Sequence, residues 1–116
     1  MPHELPKYLY DVRQACAALE EFIQGKTFDQ YLKDHMLQAA VERKLTIIGE
    51  ALLKAVKIDP TLDQSVKDLS QIIAFRHVLV HGYASINHKT VWGVLENDLS
   101  LLKQQVENLL AKYGPP

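Results

Sequence analysis

Residues 71–83, QIIAFRHVLVHGY, restrict the fold more than any other stretch of this chain. Set on a helix at about 100° per residue, Leu69, Ile72, Ile73, Phe75, Val78, Leu79 and Val80 point in almost every direction. A helix that is apolar all round belongs inside a protein, so the expectation is a buried central helix. Into it are set Arg76, close in angle to Leu69 and Val80, and His77 and His81, which share a neighbouring face at i, i+4 spacing. An arginine or histidine buried without partners is costly, and that cost marks these positions as candidates for function.

The length of 116 residues allows one hydrophobic core, so residues 1–116 read as a single domain. With 47% apolar and 23% charged residues the composition is that of an ordinary globular protein, not a disordered one. No apolar run approaches the ~20 residues of a membrane helix, and MPHELPKYLY lacks the basic and apolar blocks of a signal peptide. The expected location is the cytoplasm. The single cysteine, Cys16, falls on an apolar stripe and excludes both a disulfide framework and a cysteine metal site within one chain. A formal net charge of −1 argues against a broad nucleic-acid footprint, so any contact with RNA should be local, around Arg76 and nearby lysines.

The remaining segments read as helices. Tyr8, Val12, Ala15, Cys16, Leu19, Phe22 and Ile23 form an amphipathic stripe that Gly25 ends. Thr27 caps a short helix through FDQYLKDH, and from about Met36 a long one carries Val41, Leu45, Ile48, Leu52 and Ala55 on one face. Gly49, in the middle of that helix, costs about 1 kcal/mol relative to alanine, which points to close approach of a neighbouring helix. Pro60 stops the long helix and opens a connection of about eight residues, after which Asp68 has the look of an N-cap with Gln71 three positions on. Gly82 is placed to close the central helix in a left-handed conformation, with Tyr83 just beyond. Val91, Leu95, Leu99, Leu102, Val106, Leu109 and Tyr113 then make one last helix, ended by Gly114, Pro115 and Pro116. Period-two alternation is missing and the loops are short, so the expected architecture is an all-α, up-and-down bundle of four to five helices.

Arg76, His77, His81 and Tyr83 are the residues that can carry chemistry. Arginine holds a phosphate through paired hydrogen bonds, and histidine moves a proton near neutral pH. In RNA the 2′-hydroxyl already lies beside the scissile phosphate, so a base, an acid and a charge clamp suffice for cleavage without a metal or cofactor. On an ideal helix His81 stands about 140° from Arg76. Either the helix unwinds at Gly82 to redirect His81, or two copies meet across a twofold axis and build one cleft. Two other readings stay open on the residues alone. One is a structural network with Arg76 paired to Glu42 or Glu50 and His81 bonded to a backbone carbonyl; the other is half a zinc site made by His77 and His81.

RHVLVHGY, an arginine, four residues, a histidine, one residue and a tyrosine, resembles the signature of the HEPN nucleases, and specifically of the HepT toxins paired with minimal nucleotidyltransferase antitoxins. The segments VERKLTIIGEALLK and TVWGVLENDLSLL are similar to the family's long helix and to the region after its motif. The resemblance implies a HEPN-like bundle that dimerises, with the motif lining a cleft at the interface. It implies Arg76 and His81 as the catalytic pair, His77 as a supporting polar neighbour, and Tyr83 as the residue that the antitoxin adenylylates. The implied partners are a second copy of the chain, the antitoxin and an RNA substrate. A different class of function compatible with the same residues is a catalytically inactive bundle that binds a nucleotidyltransferase.

Overall fold

The computed structural model describes residues 4–114, and these form seven α-helices and one 3-10 turn, with no strand among them. In order they are α1 (Glu4–Ile23), α2 (Phe28–Lys33), α3 (His35–Ile58), α4 (Leu62–Ser65), α5 (Leu69–His81), the turn Tyr83–Ser85, α6 (His88–Asn97) and α7 (Leu99–Tyr113). Pro115 and Pro116, expected to end the last helix, lie outside the described residues.

Helix α1 occupies the middle of the bundle because its apolar stripe is wide enough to serve two neighbours, α3 on one side and α7 on the other. Leu9, Val12, Cys16 and Leu19 of α1, Val41 and Leu52 of α3, and Val106 of α7 lose all contact with solvent. Each fully buried leucine or valine contributes about 1.5–3 kcal/mol, so this three-helix seam supplies most of the cohesion. Burial also pushes the Cys16 thiol up to about 12, with Glu20 adding to the effect, which makes Cys16 a packing residue.

Local signals account for most helix boundaries. The Thr27 hydroxyl accepts from the Gln30 amide while the Gln30 side chain accepts from the Thr27 amide, a complete capping box. The Asp34 carboxylate accepts from the Leu37 amide at 2.9 Å and starts α3 directly after α2. Asn87 does the same for α6 through the amides of Lys89 and Thr90.

Four expectations about helix ends and connections require correction. Asp68 does precede α5, but it sits at φ 58°, a left-handed geometry that keeps its carboxylate from turning back to the first helical amides, so its side chain caps nothing. Gly82 ends α5 at φ −105° without going left-handed; its carbonyl accepts from the Ser85 amide and carries the chain straight into the 3-10 turn. The connection after Pro60 contains a helical turn, α4. The final helix is two, interrupted at Asp98, where Asn97 and Asp98 are both weak helix formers; the apolar repeat runs on across the break through Leu95, Leu99 and Leu102.

The largest correction concerns α5, which is not buried. Its main neighbour is α3, and among its own residues only Leu69 and Leu79 are fully enclosed. Val78 and Val80 remain 44% and 38% exposed. An all-round apolar helix with one principal neighbour leaves an apolar face uncovered.

At the crossing of α5 over α3 the backbones approach at Gly49. A Cβ there would lie 2.8 Å from Arg76 Cγ and nearer still to Arg76 Cβ. In an open helix Gly→Ala stabilises by about 1 kcal/mol; here overpacking should dominate and reverse the sign, costing about 1–3 kcal/mol. Gly49→Ala is therefore expected to lower Tm, read by circular dichroism, and a raised Tm would mean that α5 does not sit on Gly49.

The end of the bundle carries a pH-sensitive tie. Asp59 accepts from Thr61 and from the Tyr113 hydroxyl at 2.9 Å, and these bonds hold its carboxyl below its usual range. A depressed carboxyl contributes stability above its unfolded pKa of about 3.9 and loses it as pH falls through the lower folded value. Tyr113→Phe should move the Asp59 titration, followed by carboxyl-carbon NMR, upward towards that unfolded value; an unmoved midpoint would show that the Tyr113 bond is not formed in solution.

Candidate active site

The functional candidates all lie on α5 or immediately after it, and the fold sends their side chains to different places. Because Gly49 has no side chain, the Arg76 backbone comes close enough to α3 for the guanidinium to reach the next residue, Glu50. Nε and Nη2 both donate to Glu50 Oε2, at 3.0 and 2.8 Å. The partner left open between Glu42 and Glu50 is thus Glu50, and the adjacent Gly-Glu step was the signal that distinguishes them. The Arg76 side chain keeps 23% of its surface exposed and Glu50 43%, so solvent screens the pair and its contribution to stability is on the order of 1 kcal/mol. Two donors on one carboxylate oxygen occupy the Nε edge of the guanidinium and leave Nη1 unengaged by Glu50.

His77 and His81 stand on the exposed face of α5, their rings 4.5 Å apart between centroids and tilted by 48°. Tyr83, first residue of the 3-10 turn, is 75% exposed. Helix α5 stays regular through His81, so the unwinding that would have redirected this side chain does not occur before Gly82. Within one protomer Arg76 turns to Glu50 while His81 lies against His77. The structure therefore brings the two histidines together and takes Arg76 to α3, on another side of the helix.

An apolar cavity of about 320 Å³ lies between α3, α5 and the α6–α7 pair, lined by Ile48, Ile72, Phe75, Leu101 and Leu102 among others. None of Arg76, His77, His81 and Tyr83 lines it. His77, His81 and Tyr83 lie on an open surface at the end of α5, while Arg76 is half-buried against α3. Among the described residues no group of three or more histidine, cysteine or acidic side chains is gathered as a metal site would require. Nor is any helix among them long and apolar enough to cross a membrane.

Comparison with known proteins finds relatives that match most of the length of the chain. A protein of Caldanaerobacter subterraneus subsp. tengcongensis that bears an RNase name is 31% identical over 105 residues, covering 90% of this chain and 93% of the relative. The "Probable ribonuclease HepT" of Thermococcus cleftensis is 30% identical over 102 residues, covering 88% of this chain and 92% of the relative. A Methanocaldococcus jannaschii protein, also bearing an RNase name, is 29% identical over 103 residues, covering 89% and 84%. No solved structure matches the chain. The family model described as "Ribonuclease HepT-like" matches residues 12–109, a span that runs from α1 through the Arg76–Tyr83 motif and into α7. This chain belongs to the HepT-like ribonuclease family.

Proposed function

We propose that the protein is a metal-independent endoribonuclease toxin that works as a homodimer, cleaving RNA in a cleft built at the dimer interface from Arg76 and His81. The observation that carries this reading is the disposition of α5. The helix presents two histidines to solvent beside uncovered valines, with Tyr83 exposed in the turn that follows, while its arginine lies on another side of the same regular helix. A second copy laid on the exposed face would cover Val78 and Val80 and bring one protomer's His81 towards the other's Arg76. Family membership supports the choice of RNA as substrate.

In this reading the 2′-hydroxyl attacks the neighbouring phosphorus. A histidine takes the 2′-proton as the 2′-oxygen–phosphorus bond forms, and a proton is delivered to the 5′-oxygen as its bond to phosphorus breaks. The products are a 2′,3′-cyclic phosphate and a 5′-hydroxyl. His81 acts as the general acid or base, and His77, its ring 4.5 Å away, supports it as a polar neighbour. Arg76 stabilises the charge that gathers on the non-bridging oxygens, through donors that Glu50 leaves available. The chemistry needs no cofactor or metal.

Control is assigned to Tyr83. Its exposed hydroxyl is open to adenylylation by a cognate minimal nucleotidyltransferase antitoxin, and an adenylate there would put bulk and negative charge two residues from His81. The expected site of action is the cytoplasm.

The test is cleavage of mixed cellular RNA by purified protein in excess EDTA, with product ends analysed. Wild type should cut and leave cyclic phosphate ends. His81→Ala should lose about 10²-fold or more of the rate, and protein adenylylated on Tyr83 should be inactive while Tyr83→Phe escapes that inhibition. A folded, unmodified wild-type dimer that leaves RNA intact would contradict the nuclease reading and favour a binding module for the nucleotidyltransferase.

A further inference from the structure

The face of α3 next to the Arg76–Glu50 pair is more cationic than the chain as a whole. On the helical wheel Arg43, Lys54 and Lys57 all fall within about 40° of Glu50, on the side away from Val41, Ile48, Leu52 and Ala55, which face the core. All three are exposed. Among the described residues none of them takes part in an ion pair, although Lys7, Arg13, Arg76 and Lys103 each do. The chain carries 13 lysines and arginines against 14 acids, so free cations on a single face are not a reflection of overall composition. Arg76 leans onto this same face from α5, adding a fourth cation, and Glu50 is the acid it meets there.

From this arrangement we infer that Arg43, Lys54 and Lys57 form a phosphate track that holds the RNA strand on either side of the phosphate held by Arg76. The inference rests on the reading of the chain as an RNA-cleaving enzyme and deepens it. At 1.5 Å rise per residue, Lys54 lies about 6 Å along α3 from Glu50 in one direction and Arg43 about 10 Å in the other. Lys57 extends the row beyond Lys54. These separations suit neighbouring phosphates of an extended strand, with the reacting one between them. The contacts are to backbone charges, so the track binds single-stranded RNA with little regard to sequence. At the Lys54 end the row reaches α1, where the ammonium groups of Lys54 and Lys7 lie 5.8 and 5.5 Å from the centre of the Tyr8 ring.

A track of this kind has a measurable signature. Each neutralised phosphate of a single strand contributes about 0.7 to the slope of log affinity against log salt. Binding of a fluorescent single-stranded RNA to His81→Ala protein would be measured across a salt series, with and without Arg43→Gln, Lys54→Gln and Lys57→Gln together. The triple change should reduce the slope by about 2. In the otherwise wild-type enzyme it should raise KM by about tenfold while kcat holds, since these contacts exist equally in ground and transition states. The paired change Lys26→Gln and Lys89→Gln, both exposed and beside a groove between α2 and α6 that no residue of α3 lines, should leave slope and KM as they were. A triple variant with unchanged slope, or a control pair that lowers it equally, would overturn the track. A wild type that binds RNA through these residues without cutting it would remove the enzymatic reading and keep the track.

Discussion

The contact of Gly49 with Arg76 governs how this bundle presents its chemistry. Helix α1 and its neighbours would pack without it, because their seam of leucines and valines is self-sufficient. Helix α5 is different. It has one principal neighbour, and the place where it can approach closely is the point on α3 where no side chain intervenes. That close approach sets the rotation of α5. It turns Arg76 onto Glu50, lays Ile72 and Phe75 against the cavity beside α6 and α7, and leaves His77, Val78, His81 and Tyr83 outward. A glycine that weakens α3 locally by about 1 kcal/mol thereby fixes the orientation of the helix that carries the candidate residues.

The rotation creates an apparent contradiction whose resolution is the core of the functional reading. The residues best suited to hold and protonate a phosphate are five positions apart on a regular helix, and nothing in one protomer redirects either of them. Their separation is a property of α-helical geometry. In the proposed dimer a second α5 would supply the missing partner. The same association would bury Val78 and Val80, which otherwise face water, so it would serve both stability and chemistry. The carboxylate of Glu50 fits this scheme because it holds the guanidinium by its Nε edge and leaves its far end available.

Much of this was legible in the residues. The amphipathic stripes of α1 and α3 appear as expected, because a helix with one apolar face declares that face directly. The Thr27 cap was legible because a short polar side chain at a boundary has few other uses, and Gly49 because a mid-helix glycine needs a steric reason. The environment of α5 was not legible. All-round apolarity reads as burial within one chain, and it takes the arrangement of neighbours to show that one side is left open. Asp68 and Gly82 went astray for a related reason: side-chain preferences propose a cap or a left-handed stop, but the path of the connecting chain decides the backbone angles. The break at Asp98 is not legible in the residues because the apolar repeat runs through it undisturbed. Arg76, His77, His81 and Tyr83 stood out as polar insertions in an apolar run, but whether they share a pocket depends on geometry that spacing alone can only pose as a question.

The central claim is that Arg76 and His81 act together across two protomers. It is tested most directly by mixing Arg76→Ala protein with His81→Ala protein, each inactive alone, under conditions that let subunits exchange, and assaying RNA cleavage. In the mixed dimer one cleft would retain an intact Arg76 facing an intact His81, so the account predicts that activity reappears and follows the fraction of mixed dimer. Mixtures that stay inactive at every ratio, with exchange verified by mass spectrometry, would contradict it.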